Sequence, residues 1–309
     1  MVCNVNTEGQ RHHFVPQFYL RAWNEPGTGL LWKYERDVRG RLRASKRSAK
    51  SMAYQHGLYS GSHDGVGLSM PVELEHGFFA QLDKDASVVH QKLLTCDIDV
   101  LSDCDRRTWA LFLNSLIERT PDRISALRDL AADAPDQAIA ELRRTHAASM
   151  AAPVIQRILH GLNKEAYVRN AVLASRVNAT VDQPFLCYLA NMTWVTLDSG
   201  PGEHHFLTSD NPLVVNCGAS MDPVQLLSIA LSPQRLLVLI NTAPDKVSNG
   251  VRDLALVHNV LIVKQAKKTL VSSRLLRDTM AIKYTQIAEL LVRAAESRRV
   301  PNSAWSRPA

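Results

Sequence analysis

The sequence predicts an α+β fold, and three observations carry that prediction. An alternating segment near the start of the chain is typical of a β-hairpin, the middle has helical periodicity, and short β-prone segments with turn spacers dominate the last third. The 309 residues are 46% hydrophobic, which is enough apolar material for a large domain. We therefore expect a single α+β domain over residues 11–299, between a flexible N-terminus (1–10) and a polar tail (300–309).

The predicted elements follow the chain in three blocks. Leu30–Arg47 alternates around a DVRG turn and forms the hairpin. In a helical subregion at about 71–177, Ser102 with Asp105 three residues later is an N-cap signal. Residues 183–272 are β-rich and mostly antiparallel, with strands predicted for FLCYLANMTWVTL, HHFLTS, PLVV, VQLLSIALS and RLLVLINT. Flanking helices are predicted at residues 251–267 and 275–298.

Positive charge is concentrated in the predicted hairpin. The net charge is +6, and eight of the residues at positions 33–50 are lysine or arginine. Alternation at period two directs Arg39, Arg41 and Arg43 to one face of a strand. A row of guanidinium groups suits a polyphosphate, so the predicted DNA-backbone contacts are Arg39, Arg41, Arg43, Lys46 and Arg47. The alternative is a solvated basic strand that protects a sheet edge.

Composition argues against several classes of protein. The five cysteines include no C-x-x-C pair, which argues against a disulfide scaffold and a structural zinc site. No apolar run approaches the roughly 20 residues of a membrane span, and the N-terminus has no secretory layout. Neither G-x-G-x-x-G nor a P-loop occurs. We expect a cytoplasmic protein that uses neither a cofactor nor a metal.

The segment HHFVPQFYL is the first candidate for a functional site. Pro16 fixes its own φ and favours an extended Val15, so the segment is expected to be straight with alternating faces. Neutral histidine exchanges protons near pH 7, and glutamine reads a nucleobase edge with one donor and one acceptor. The alternative is that one histidine caps a loop and the other is a satisfied core residue.

The segment FLTSDNPLVV is the second candidate. Ser209, Asp210 and Asn211 lie at a turn between two predicted strands, before Pro212. A carboxylate there orients a water or stabilises a developing cation, and an amide holds that water or a substrate carbonyl. The alternative is an Asx-turn, for which Ser-Asp-Asn-Pro is ordinary chemistry.

The segment IERTPDR is the third. Arg119 lies at a helix end broken by Pro121, where it is expected either to clamp a phosphate or to pair with Asp210. An ordinary helix-terminal cation explains it equally well.

Five sequence motifs follow one another along the chain, in the order HHFVPQFYLRAW, AYQHGLYS, ERTPDR, FLTSDNPL and LSPQRLLVL. This set resembles the domain-of-unknown-function 4238 family of bacterial proteins, over about Arg11 to Ser272. The resemblance implies a single structural unit. Its members look like accessory-genome genes, some in the setting of defence against bacteriophage, which implies nucleic acid as the target. One departure is VHNV at Val257–Val260, where the family more often has Leu-Asn; it affects no proposed catalytic residue.

The predicted function is a nucleic-acid-acting hydrolase of antiphage defence, a DNA N-glycosylase that excises a modified base from phage DNA. Cleavage of a glycosidic bond passes through a cation-like sugar, which a carboxylate and a positioned water favour. The predicted catalytic residues are Asp210, Asn211 and His13. The predicted substrate-binding residues are His12, Gln17, Tyr19, Ser209 and Arg119. This mechanism requires the two motif segments to share one pocket.

Two alternatives stay open. His12 and His13 before Pro16 resemble the H-H-x-x-P start of HNH-like nucleases, which are metal-dependent, although the further ligands fit loosely. The other alternative is a non-catalytic module that binds nucleic acid or protein.

Overall fold

The computed structural model describes residues 11–59, 75–146, 163–199, 205–216, 225–241 and 251–276. The helices are α1 (Gln17–Leu20), α2 (Ala80–Thr95), α3 (Asp103–Glu118), α4 (Pro121–Leu130), α5 (Ala134–His146), α6 (Lys164–Thr180), α7 (Gln183–Asn191) and α8 (Val251–Gln265). The strands are β1 (Arg11–His13), β2 (Leu31–Arg36), β3 (Leu42–Arg47), β4 (Tyr54–His56), β5 (Thr193–Asp198), β6 (Thr208–Ser209), β7 (Val214–Asn216), β8 (Leu226–Ser232), β9 (Arg235–Ile240) and β10 (Leu270–Ser272). The fold is α+β, as the sequence predicts.

The chain forms two compact units, each built from two separate stretches. The first contains residues 1–20 and 50–192, and the second contains residues 21–49 and 193–309. The single domain over 11–299 stays a prediction. Three further predictions lie largely or wholly outside the described residues: the flexible N-terminus, the polar tail and the helix at 275–298.

The first unit is mainly helical. β1 pairs antiparallel with β4, and α3 packs against α2 and α7. α3 begins with the predicted capping box, in which Ser102 Oγ accepts the Asp105 N–H and the Asp105 carboxylate accepts the Ser102 N–H. α3 ends before Pro121, which starts α4. The core includes Tyr19, Leu93, Trp109, Phe112 and Leu113.

The second unit holds two antiparallel four-stranded sheets, ordered β3-β2-β10-β6 and β5-β9-β8-β7. The predicted hairpin is present as β2 and β3, and Tyr34 of β2 lies opposite Leu270 of β10. α8 packs against β5, β6 and β7. The core of this region contains Tyr34, Leu207, Val214, Val260 and Ile262.

One predicted strand is wrong. FLCYLAN forms α7, and only the following residues pair as β5. Pro184 in the first turn has a φ suited to a helix start, and Leu186 and Leu189, three residues apart, are buried on one face. Helical spacing therefore prevails over the β-prone composition. Within the part of the chain that the structure covers, no helix is long and apolar enough to span a bilayer.

Candidate functional site

The HHFVPQFYL segment changes conformation at its proline. β1 ends at His13, and α1 begins at Gln17. The Leu20 N–H donates to the Pro16 carbonyl at 3.2 Å, so that Pro16 opens a helical turn instead of extending the strand. The prediction of an extended segment is wrong beyond this point. Gln17, which is half-buried, does not share a strand face with His13.

His12 and Tyr19 are core residues of the first unit. His12 is 3% exposed, its Nδ1 accepts the Tyr59 N–H at 2.8 Å, and its ring stacks on that of Tyr59 with centroids 5.4 Å apart. Tyr19 is fully buried, with its ring 6.0 Å from that of His90. The geometry favours the satisfied-core alternative for His12, and the ring of Tyr19 presents no accessible face.

His13 keeps one ring nitrogen available. Its Nε2 lies 3.1 Å from the Lys50 carbonyl, and because a carbonyl only accepts, Nε2 carries the proton. Nδ1 of the neutral ring is then an acceptor, with no hydrogen-bond partner among the residues described. Burial lowers the pKa of His13 below 6.5, and the charges of Arg11 and Lys50 act in the same direction. The ring is therefore neutral near pH 7.

A buried guanidinium and a carboxylate lie in the same unit. Arg119 is 1% exposed, and its Nη1 donates to Asp83 Oδ1 at 3.0 Å. Neither Nε nor Nη2 of Arg119 has a partner in the described part of the chain. The guanidinium lies 5.5 Å from the ring centroid of Phe79 and 5.7 Å from that of Phe112. Asp83, in the first turn of α2, keeps 26% of its side chain exposed.

Asp83 is coupled electrostatically to both His13 and Arg119. Burial raises the pKa of Asp83 above 3.8, and the charge of Arg119 opposes that change. The carboxylate of Asp83 in turn raises the pKa of His13 against the larger effect of burial. Burial therefore moves the two pKa values toward each other, and the attraction between the two charges opposes that change. Arg119 pairs here with Asp83 and not with Asp210, the partner considered from the sequence. We call His13, Asp83 and Arg119 the first-unit cluster.

The IERTPDR segment holds the end of α3 in place. The Tyr59 hydroxyl donates to the Arg119 carbonyl at 2.7 Å. Glu118 is 5% exposed and accepts hydrogen bonds from Arg176 and Arg123. A buried acid with two guanidinium partners fixes this helix end, and so fixes the guanidinium that follows it.

In the second unit, backbone N–H groups occupy both oxygens of Asp210. Oδ1 accepts the Lys267 N–H at 2.9 Å, and Oδ2 accepts those of Lys268 at 2.7 Å and Thr269 at 3.1 Å. Burial raises the pKa of Asp210, and the three N–H donors oppose that change. The residue is 7% exposed. The geometry favours a structural role, in which the carboxylate folds the turn between α8 and β10.

The rest of the acid-amide turn is similarly engaged. Ser209 is fully buried; its Oγ donates to the Asn211 carbonyl at 2.8 Å and accepts the Asn211 N–H at 3.1 Å. Gln265 Nε2 donates to the carbonyls of Asn211 and Leu213. These bonds match the turn alternative, and Ser209 is inaccessible to a substrate. The carboxamide of Asn211 is half-buried.

Asn259 of α8 holds the segment that leads into β6 and this turn. Its Nδ2 donates to the His205 carbonyl at 3.0 Å, and its Oδ1 accepts the Leu207 N–H at 2.9 Å. His205 Nδ1 lies 3.0 Å from Ser273 Oγ, and burial lowers the pKa of His205. The neighbouring His204 lies outside the described residues.

Asp37 organises the turn of the β2–β3 hairpin. Its Oδ1 accepts the N–H groups of Arg39 and Arg41 at 2.9 Å, and its Oδ2 accepts Arg43 Nε at 3.1 Å. β3 begins only at Leu42. The expectation that the three arginines share one strand face is therefore wrong, because Arg39 lies in the turn and Arg41 between the turn and the strand.

The hairpin cations are exposed. The group consists of Arg39, Arg41, Arg43, Lys46 and Arg47. Lys46 pairs with Glu25 at 2.5 Å and lies 5.1 Å from the ring centroid of Trp32. Arg39 and Arg41 have no ion-pair partner among the side chains that are described. These two guanidinium groups are therefore the most readily available to a polyanion.

The model of the family described as "Protein of unknown function (DUF4238)" matches residues 11–274. The chain belongs to this family. The match covers both compact units and confirms the resemblance that the five motifs carry. Searches of the curated proteins and of the solved structures find no match to this DUF4238 protein.

In this DUF4238 protein the two motif segments fall in different units. His12, His13, Gln17, Tyr19 and Arg119 belong to the first unit, whereas Ser209, Asp210, Asn211 and the hairpin cations belong to the second. Sequence reasoning missed Asp83. Asp83, Ala86 and His90 recur three and four residues apart, so a carboxylate on the apolar face of α2 was the signal that could have found it.

Potential metal ligands are dispersed over the part of this DUF4238 protein that the structure describes. Among the side chains described, no three His, Cys, Asp or Glu residues lie close enough together to hold a metal ion. Cys96, Cys104 and Cys187 are not in disulfide bonds.

Proposed function

We propose that this DUF4238 protein is a nucleic-acid-acting hydrolase, a DNA N-glycosylase whose reacting groups are His13 and Asp83. The observation that carries the proposal is the Asp83–Arg119 pair. Arg119 fixes one carboxylate oxygen at 3.0 Å, while a quarter of the Asp83 side chain stays exposed. A carboxylate that is held but still accessible is the group that a cation-like sugar requires.

The chemistry assigns one task to each residue. The Asp83 carboxylate stabilises positive charge on the sugar as the bond between C1′ and the base nitrogen breaks. The base nitrogen keeps the bonding electron pair and takes a proton from solvent. Water bonds to C1′, and its proton passes to Nδ1 of the neutral His13. Arg119 holds Asp83 in position, and its charge opposes the rise in the pKa of Asp83 that burial causes.

Charge supports a polyanionic substrate. The second unit presents the exposed hairpin cations, of which Arg39 and Arg41 lie at the turn. Guanidinium groups bind phosphate strongly and without regard to sequence. The phage-defence setting that the family resemblance implies makes phage DNA with modified bases the substrate, and the cytoplasm the place of the reaction.

A second candidate is a non-catalytic nucleic-acid-binding module. It is favoured by one observation: the carboxylate of the acid-amide turn is saturated by backbone N–H groups, as in a scaffold. In this candidate the hairpin cations bind the phosphates and no bond is broken.

The test is incubation of the protein with modified phage DNA, with and without a chelator, followed by an assay for aldehydic abasic sugars. Abasic sites formed in the presence of chelator are the expected result. Strand cleavage that needs no alkali and stops with chelator would overturn the proposal in favour of a metal-dependent nuclease. Salt-dependent binding with no product would overturn it in favour of the binding module.

A further inference from the structure

A cavity of about 380 Å³ lies in the second unit, between the β2–β3 hairpin and the C-terminal end of α8. Its walls combine cationic and apolar side chains, which include Arg36, Leu42, Val263, Lys267, Lys268 and Leu270. A volume of this order is typical of sites that hold a small molecule or one group of a larger ligand. No residue of this cavity was predicted from the sequence as part of a site.

Three basic side chains and one acidic side chain line the described part of the cavity. Arg36, Lys267 and Lys268 line it and are exposed. Glu35, the one acid among the described residues of its wall, is neutralised by Lys33 at 2.5 Å. An anion that enters therefore meets more basic than acidic side chains.

The backbone that carries the two lysines is fixed by the acid-amide turn. Asp210 accepts the backbone N–H groups of Lys267, Lys268 and Thr269. On the opposite wall, Arg36 Nη1 donates to the Gly40 carbonyl at 3.0 Å. The cations are thus attached to an ordered framework, which lowers the entropy lost when a ligand binds. Asp210 is a positioning residue for this cavity.

The rest of the wall is apolar. Leu42 is 40% exposed, and Val263 and Leu270 are half-buried beside it. An inorganic ion would make no use of such a surface. A ligand that pairs a phosphate with a flat, weakly polar group uses both kinds of wall.

We infer that this cavity is a subsite for one unpaired nucleotide of a nucleic-acid strand. Arg36, Lys267 and Lys268 bind its phosphate, and Leu42 with Leu270 contacts its base. A nucleotide inside an intact duplex keeps its base stacked, so only a single-stranded or extruded nucleotide offers phosphate and base together. The inference shares with the proposed function only its class of substrate, nucleic acid.

The test compares the binding of three probes by fluorescence anisotropy at several salt concentrations. The probes are a short oligothymidylate, an oligomer of equal length whose residues lack bases, and a duplex of the same length. We expect the oligothymidylate to bind most tightly. The double variant Lys267→Gln/Lys268→Gln weakens its binding about tenfold at low salt and reduces the slope of log K against log salt by at most about 0.7, because the two lysines contact one phosphate.

The matched control is Arg107→Gln/Arg144→Gln, which removes the same charge from exposed positions of the first unit. Equal weakening by both double variants would show a general charge effect and overturn the inference. Leu42→Asn is expected to remove the preference for the oligomer that carries bases. Equal binding of all three probes to the wild-type protein, or full displacement of the oligothymidylate by equimolar inorganic phosphate, would also overturn it.

This outcome is independent of the reaction. Abasic sites formed by a protein that binds all three probes equally would refute the subsite and leave the glycosylase proposal intact. Selective binding of the oligothymidylate without abasic sites would support the subsite and refute the glycosylase proposal.

Discussion

Asp83 in the first unit and Asp210 in the second are both largely buried carboxylates. They differ in the number of their hydrogen-bond donors and in how much of the side chain stays exposed. Asp83 meets one guanidinium nitrogen at 3.0 Å and keeps 26% of its side chain exposed. Asp210 accepts three backbone N–H groups and is 7% exposed. A sequence motif therefore does not show whether a carboxylate is accessible, because accessibility depends on partners that lie far away in the chain.

The energetics of the two sites differ as well. Each hydrogen bond to a charged group contributes about 1.5–3 kcal/mol, so the Asp210 bonds stabilise the turn that they close. The Asp83–Arg119 pair offsets the cost of burying a charge, because a buried guanidinium without its partner destabilises the folded state by about 3–5 kcal/mol. One carboxylate builds the fold, and the other makes a buried cation tolerable.

The largest expected effect is on catalysis. Asp83→Asn keeps an oxygen to accept the Arg119 hydrogen bond but removes the charge that stabilises the sugar cation. We expect the rate of abasic-site formation to fall by about 10²–10³ while the protein stays folded. The rate is measured under single-turnover conditions, and folding is checked by urea unfolding.

The matched control for this change is Asp85→Asn, which alters an exposed carboxylate of the same helix that accepts a hydrogen bond from Gln81. It should leave the rate unchanged. One outcome would contradict the role of Asp83: Asp210→Asn, folded and saturated with DNA, is inactive, while Asp83→Asn keeps the wild-type rate. Asp210 would then be the reacting carboxylate.

The next effect is on stability. Asp210→Ala leaves three N–H groups without their acceptor, and because water reaches part of this turn we expect a loss of about 3 kcal/mol in the free energy of unfolding of the second unit. Urea titration monitored by a probe in that unit measures the loss. Asp198→Ala, which removes an ion pair with Arg235 from a surface where Asp198 is 59% exposed, should cost at most about 1 kcal/mol. Equal losses in the two variants would contradict the structural role of Asp210.

The smallest expected effect concerns pH. His258 of α8 is fully enclosed, its Nδ1 lies 2.9 Å from Ser228 Oγ, and burial lowers its pKa to about 3. The unfolded chain therefore binds a proton that the folded chain does not, below a pH of about 6.5. The stability that His258 contributes is fully present above this pH and is lost as the pH falls toward 3.

Between pH 7 and pH 5 this loss amounts to about 2 kcal/mol. Urea unfolding of the wild-type protein and of His258→Gln at both pH values measures it, and the variant should lack this share of the dependence. His56→Gln, which changes an exposed histidine of the first unit, serves as the control. An unchanged dependence in His258→Gln would contradict the assignment.

Local signals made much of the fold predictable. The alternation of Leu30–Arg47 gave the hairpin, and the Ser102–Asp105 box marks the start of α3 because both partners lie within one turn. The strand prediction for FLCYLAN was wrong because its aromatic and Cys residues favour strands, whereas its leucine spacing suits a helix. Tertiary packing against α3 decides between the two, and packing cannot be read from a short window.

The site was harder to predict for a related reason. Asp83 and Arg119 are 36 residues apart, and Asp210 and Lys267 are 57 apart, so neither contact leaves a local pattern. A buried Asx-turn and a catalytic acid-amide pair also have the same composition. Arg119 was one of the candidate residues named from the sequence, but its partner depends on how α2 packs beside α3.

The discontinuous make-up of the second unit has a consequence for synthesis on the ribosome. The hairpin ends at Arg47, whereas its partner strand β10 begins at Leu270, about 220 residues later. At a synthesis rate of 5–20 residues per second, roughly 10–45 s pass between the synthesis of β2 and that of its hydrogen-bonded neighbour β10. During that interval a hairpin that has already formed has an unpaired strand edge, and we expect its dense positive charge to limit association with other chains.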